Sequence, residues 1–238
     1  MRRRTFLKSS AVTALAVSAG LPDAQTHTAG RRGRRARSRR LGVAGAPQAQ
    51  ASPIGTGWTE VNPGFVLQTP PDTTRYEYLS ATGEHHLWLY DSDPWLWPDS
   101  SSGPRSEMRW RNDYTSGQSQ FECDLRIGSG AHRVSVFQIF GGSSWATAFM
   151  TLAMNTDSLN YYDTTTQIAS PVYNTYIRLN VVHETDTGNS HVFVNRTFVR
   201  TFQDHGDGTH YFKAGLYGRD GMSSRSDIYL KNIHLYAK

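Results

Sequence analysis

The chain has one cysteine, Cys123, in 238 residues, which excludes an intrachain disulfide. It has no apolar run near the roughly 20 residues that a membrane-spanning helix needs. No segment sustains a 3.6-residue apolar stripe, which argues against a helical core. Acids are nearly absent from one end: residues 1–50 hold 11 basic groups and a single acid, Asp23, a net of +10. Residues 51–238 hold 14 basic and 19 acidic groups, a net of −5. The overall +5 is therefore carried by the first fifth of the chain. A globally basic nucleic-acid-binding domain is excluded for the rest. There is no P-loop and no glycine pattern leading from a strand into a helix, so no nucleotide cofactor is implied. The lone cysteine and scattered histidines form no zinc spacing, and no loop reads as an EF-hand. No cofactor and no metal are expected from the spacing.

What is present begins with Arg2-Arg3-Arg4-Thr5-Phe6-Leu7-Lys8, a twin-arginine pattern followed by a modest apolar stretch, Ala11 to Leu21. That layout reads as a cleaved export signal over residues 1–30, of the route that carries folded proteins. The expected product is bacterial and extracellular, with no membrane association after cleavage. Arg31 to Arg40 holds seven arginines in ten positions. A like-charge block flanked by Gly, Ala, Gln and Pro reads as a disordered linker or pro-segment over 31–52. Residues 53–238 are long enough for one domain with a sizeable core, expected to be a monomer.

Within that domain, period-2 alternation dominates and predicts strands at His85–Tyr90, Arg105–Arg111, Ser119–Ile127, Arg133–Phe140, Ala146–Met154, Tyr176–His183, His191–Asn195, Tyr211–Tyr217 and Asp227–Tyr236. Gly128-Ser129-Gly130, Gly141-Gly142 and Asp186-Thr187-Gly188-Asn189 separate them at short intervals. The spacing argues for an all-β fold, a two-sheet antiparallel sandwich of jelly-roll type.

Three of these strands carry charge or amides in alternation. In Arg105-Ser106-Glu107-Met108-Arg109-Trp110-Arg111, Met108 and Trp110 are expected to face the core. Arg105, Glu107, Arg109 and Arg111 then line the other face. In Val134-Ser135-Val136-Phe137-Gln138-Ile139-Phe140, Gln138 is expected on one face with Val136 and Phe140. In Tyr211-Phe212-Lys213-Ala214-Gly215-Leu216-Tyr217-Gly218-Arg219, one face holds Tyr211, Lys213, Tyr217 and Arg219. Gly215 is expected to leave a gap there for another backbone or a ligand. Each strand alone is equally well a solvated face or a hydrogen-bonded core position. Together they describe a concave face of Arg, Gln, Lys and Tyr, suited to an anionic, hydroxyl-rich chain.

These strands, in this order, resemble the signature motifs of the alginate lyase superfamily typified by polysaccharide lyase family 7. The family pattern is roughly R(S/T)E(L/V)R, then Q(I/V)H, then YFKAGxYxQ. Here the matching segments are RSEMR at Arg105–Arg109, QIF at Gln138–Phe140 and YFKAGLYGR at Tyr211–Arg219. The resemblance covers roughly Trp58 to Lys238. It implies a β-jelly roll whose concave face binds a uronic-acid polysaccharide and cleaves it by β-elimination. It further implies that Arg105 or Arg109, with Gln138, neutralises the substrate carboxylate and stabilises the enolate-like transition state. A guanidinium can grip a carboxylate with two hydrogen bonds. Tyr217 matches the family's catalytic tyrosine, which protonates the leaving O4 and can also take the C5 proton. Glu107 would orient the arginines or accept a substrate hydroxyl. Arg111, Phe140, Tyr211, Lys213 and Arg219 complete the expected substrate-binding set.

Two departures alter that expectation. Phe140 stands where the family has the histidine thought to act as base when proton and leaving group lie on opposite faces. Tyr217 would then serve as both base and acid, which favours same-face elimination of mannuronate-type linkages. His132 cannot replace it, because six residues of strand place it about 20 Å from Gln138. His85, His86, His183, His191, His205 and His210 remain open as substitutes. Gly218-Arg219 replaces the family's Asn-Gln, which suggests altered recognition and opens another polyuronate such as glucuronan. Two other readings are carried. Plant proteins described as citrate-binding share the superfamily and the aromatic after Gln-Ile, so a silent carboxylate binder is one. A retaining hydrolase built on Glu122-Cys123-Asp124 is the other. It is weakened by the apolar Ile127 where that motif would continue, and Glu122 and Asp124 are expected to be an exposed strand face.

Overall fold

The structure, a computed structural model, describes residues 52–96, 103–143 and 147–238. The export-signal segment, the arginine block and Ala146 lie outside the described residues. The described chain runs through β1 (Thr59–Val61), β2 (Phe65–Gln68), β3 (Tyr76–Leu79), β4 (Glu84–Tyr90) and β5 (Arg105–Trp110). It continues with β6 (Gln118–Ile127), β7 (Val134–Phe140), β8 (Thr147–Met154), β9 (Ser158–Tyr161) and β10 (Gln167–Ala169). It ends with β11 (Tyr176–Glu184), β12 (Asn189–Val194), β13 (Thr197–Gln203), β14 (Tyr211–Gly218) and β15 (Arg225–Ala237).

Two antiparallel sheets result. One has the order β13-β12-β11-β6-β15-β4-β3, with β1 beside β15, and the other β10-β9-β8-β7-β14-β5-β2. The expected jelly-roll-type sandwich is what the chain forms. All nine expected strands are present within a few residues of their expected ends. The additional ones are mostly short or peripheral: β3 and β13 are edges of the first sheet, and β10 and β2 of the second. An edge strand with one row of neighbours buries little apolar surface, so its sequence need not alternate. β13, TFVRTFQ, has only Phe202 buried.

The core fills the space between the sheets because alternate residues of β4, β5, β6, β7 and β14 turn the same way. Trp110, Phe121, Phe137 and Phe212 meet there, Phe121 and Phe137 with ring centres 4.8 Å apart and Phe121 and Trp110 at 5.1 Å. Fully burying each such ring is worth about 1.5–3 kcal/mol. Cys123 belongs to this core and is a free thiol. Burial pushes its pKa up, so it packs as an inert apolar group.

Glu122 and Asp124 are not an exposed face. Glu122 is buried and accepts Arg178 Nε at 2.6 Å, while Asp124 accepts Arg178 Nη1 at 2.9 Å and Asn232 Nδ2 at 2.6 Å. The two carboxylates neutralise Arg178 and stabilise the β6–β11 pairing, which leaves them no part in hydrolysis.

Candidate active site

Register brings the three motif strands into one surface. Across β5 and β14, Lys213 stands opposite Arg109, Gly215 opposite Glu107 and Tyr217 opposite Arg105. Across β14 and β7, Tyr211 stands opposite Phe140, Lys213 opposite Gln138 and Tyr217 opposite Ser135. Residues opposite one another on antiparallel strands share a face. Arg105, Glu107, Arg109, Gln138, Phe140, Tyr211, Lys213 and Tyr217 therefore line one sheet surface, as expected. Met108, Phe137, Phe212 and Leu216 turn into the core.

One expectation about that surface needs correction. Val136 does not continue the Gln138–Phe140 row. The register shifts between Ala214 and Tyr217, so Ser135 faces Tyr217 and Val136 joins the core. Of the two occupants expected at Gly215, backbone or ligand, it is backbone that approaches. The glycine's φ is +146°, and a Cβ there would come within 2.4 Å of the Glu107 Cα and the Ser106 carbonyl oxygen. The close approach is by the β5 backbone, and a side chain at this position would push β5 away.

Glu107 is the electrostatic centre of the surface. It is buried and accepts Lys213 Nζ at 2.5 Å through Oε2. It accepts the Gln138 amide nitrogen through Oε1, and Arg105 Nη1 lies 3.6 Å from Oε2. The Gln138 carbonyl accepts the Thr147 hydroxyl at 3.4 Å. Glu107 therefore orients the cations and the amide around it. Burial pulls the Lys213 pKa below the ordinary lysine range, Glu107 opposes that, and Arg105 adds to the lowering. An ammonium this enclosed is stable only because its counter-ion is equally enclosed.

Around this pair the aromatics are held by cations. The Arg105 guanidinium carbon lies 4.6 Å from the Tyr217 ring centre, and that of Arg109 lies 4.0 Å from the Tyr211 ring. Tyr211 also stacks on Phe140, with centres 5.1 Å apart. Burial raises the Tyr211 pKa, and the nearby Arg109 charge partly offsets it. The Tyr217 hydroxyl accepts Arg219 Nη1 at 3.4 Å, so Arg219 caps the tyrosine from the solvent side. Arg109 is further tied to the exposed Asp113 at 2.5 Å. Arg111 lies one residue beyond β5 and is exposed.

Beside Tyr217 a cleft of about 120 Å³ is lined by Gly103, Arg133, Tyr217, Gly218, Arg219 and Asp220. Arg133, just before β7, lines this cleft and was not singled out by sequence reasoning. It belongs to no motif, and the return of the chain at Asp220, whose carbonyl accepts its Nε at 2.5 Å, brings it near. A larger cleft, about 480 Å³, lies elsewhere, among Phe65, His85, Met108 and Trp110, on the core side of β5.

The six candidate histidines are dispersed. His85 bonds to the Tyr76 hydroxyl at 3.0 Å. His86 pairs with Asp227 at 2.9 Å and stacks on Tyr229. His191 pairs with Glu184 at 3.3 Å. His183 and His210 lie together in a buried cluster with Tyr114 and Asp204. His205 is edge-on to Tyr162, and His210 contacts the Phe140 backbone. The Tyr162 hydroxyl donates to the Thr147 carbonyl at 2.7 Å, and Thr147 holds Gln138.

A sequence profile of the family described as alginate lyase matches residues 63–235 of the chain. The chain belongs to the alginate lyase family. A relative from Hevea brasiliensis named citrate-binding protein is 36% identical over 188 residues, covering 76% of this chain and 77% of that protein. Among solved structures, the alginate lyase AlgAT5 from polysaccharide lyase family 7 superposes with a TM-score of 0.60 at 16% identity, over 74% of this chain and 95% of that one. The alginate lyase from Corynebacterium sp. gives a TM-score of 0.56 at 18% identity, over 68% of this chain and 81% of that one. At such identities these structural matches speak for the fold.

Proposed function

We propose that the chain is a polyuronate lyase that cleaves mannuronate-type linkages by same-face β-elimination. The observation that carries this reading is the setting of Tyr217, flanked on the charged sheet face by the guanidinium groups of Arg105 and Arg219. A substrate carboxylate seated against Arg105 has its charge neutralised as C5 loses its proton, the point at which an enolate-like anion develops. The Tyr217 oxygen takes the C5 proton. The electron pair forms the C4–C5 double bond, the C4–O4 bond breaks, and the same oxygen returns a proton to O4. One group acting as base and then acid requires proton and leaving group on one side of the ring, the mannuronate arrangement. Glu107 and Lys213 hold Gln138 and Arg105 in place without touching the reacting atoms. The signal read at the N-terminus would deliver the enzyme outside the cell, where such polymers are met.

The second reading is a carboxylate-binding protein without chemistry. It is favoured by Phe140 in the histidine position and by the Hevea brasiliensis relative named citrate-binding protein. The test is a panel of mannuronan, guluronan and glucuronan, followed by the ultraviolet absorbance of the unsaturated sugar that elimination creates, with citrate binding measured by calorimetry. Product chiefly from mannuronan is expected. Guluronan preference would remove the same-face mechanism, and product chiefly from glucuronan would reassign the substrate. Citrate binding without product from any polymer would establish the binder.

A further inference from the structure

We propose that His183, Asp204 and His210 form a zinc-type metal site that clamps the two sheets together at one end of the sandwich. The three residues come from separate places in the chain: β11, the residue after β13, and the residue before β14. Each offers a ligand atom, and these atoms lie within 4.8 Å of one another. His183 Nε2 and Asp204 Oδ2 are 3.0 Å apart, a separation two ligands of one small cation can share. The His183 and His210 rings are 4.7 Å apart and nearly perpendicular, at 83°.

The surroundings are those of a ligand set. Histidines that bind metal have their other ring nitrogen held by a hydrogen bond. His183 Nδ1 is held by the Tyr114 hydroxyl at 3.0 Å. Asp204 is held through Oδ1, which accepts the Gly206 N–H at 2.9 Å, while its Oδ2 is the atom that faces His183. Tyr114 is itself bridged to His210 through the backbone.

His210 supplies the independent observation. It is fully buried, and beyond a contact with the Phe140 backbone neither ring nitrogen meets a partner in full hydrogen-bond geometry among the described residues. An imidazole so enclosed loses its hydration and recovers little of it. A cation accepting the lone pair of one nitrogen removes the deficit. Two imidazoles and a carboxylate suit a borderline divalent ion such as Zn²⁺ better than Ca²⁺, which takes oxygen ligands. Three protein ligands leave one position for water.

The sequence gives no warning, because 21 residues separate His183 from Asp204 and the spacing matches no zinc pattern. Only the folding of β11 in one sheet and β14 in the other brings them together. A metal here would also anchor the segment that enters β14, where Tyr211 stacks on Phe140. The inferred role is structural, and it does not depend on the lyase reading.

The full chain, stripped with a chelator, would be titrated with Co²⁺ as a visible-absorbing probe and then with Zn²⁺. The expected result is one equivalent of Co²⁺ with the bands of a nitrogen- and oxygen-ligated ion, displaced by Zn²⁺, and a melting temperature raised by Zn²⁺. His210→Gln and Asp204→Asn should each abolish both responses, while His191→Gln, at a surface pair, should retain them. Failure of the wild-type chain to take up one equivalent overturns the proposal whether or not the variants fold. So does uptake by a folded His210→Gln protein equal to that of the wild type.

Discussion

The Arg105 guanidinium carbon lies 4.6 Å from the centre of the Tyr217 ring, and the two residues stand directly opposite one another on β5 and β14. The cation and the hydroxyl-bearing ring thus form one unit fixed by strand register. Tyr217→Phe keeps the ring and its contact with Arg105 and removes only the hydroxyl. Product formation should fall by about 10²–10⁴-fold, the range for a lost general acid–base group. Polymer binding and melting temperature should stay near wild type. A variant that turns over at the wild-type rate would remove Tyr217 from the chemistry.

Phe140→His places an imidazole beside Tyr211 and opposite Thr147 at the start of β8. A second base on the other side of the sugar ring should add activity on guluronan while mannuronan activity persists. Product ratios on the two pure polymers measure this. The lost stacking on Tyr211 is worth about 0.5–1.5 kcal/mol and should lower the melting temperature slightly. An unchanged ratio would show that the residue at 140 does not set the stereochemical outcome.

The Glu107–Lys213 pair is enclosed on both sides. Glu107→Gln leaves the ammonium without its counter-ion and should cost about 3–5 kcal/mol in chemical denaturation. The double variant Glu107→Gln/Lys213→Met removes both charges and should be more stable than Glu107→Gln alone. A double-mutant cycle without coupling would contradict the geometry.

Buried tyrosines should make the fold sensitive to alkali. Burial raises the pKa of Tyr114 and Tyr211 and pushes that of Tyr236 up to about 12. An acid with a raised folded-state pKa still holds its proton above pH 10, where the unfolded chain has lost it. The folded state then binds more protons, so stability is undiminished below about pH 10 and falls as pH rises beyond it. Denaturation curves at pH 9 and pH 11 should show the loss, and phenolate absorbance should lag behind that of the unfolded chain.

Much of this was legible in the residues. Alternation is a local property, so the strands with one apolar face and one polar face, such as β6 and β14, were readable from spacing. The edge strands β3, β10 and β13 were not, because solvent on one side removes the pressure to alternate. The charged row of β5 and the tyrosine of β14 fell on the expected face for the same local reason. Val136 fell on the opposite face because a bulge, which no alternation rule foresees, shifts the row by one residue. Gly215 was marked as a gap, but whether backbone or ligand fills it depends on a neighbouring strand more than a hundred residues earlier.

The sequence by itself determined an all-β chain with a cationic, tyrosine-bearing sheet face and membership of the alginate lyase family. Side-chain type and period-2 spacing are written residue by residue. Only the tertiary structure decided what those side chains are committed to. Gln138 and Lys213 meet Glu107 across 31 and 106 residues of chain, and His183, Asp204 and His210 meet one another at the junction of the two sheets. Hydrogen bonds and ion pairs form within a few ångströms in space, and separation along the chain does not report that distance until the sheets have paired and closed on their core.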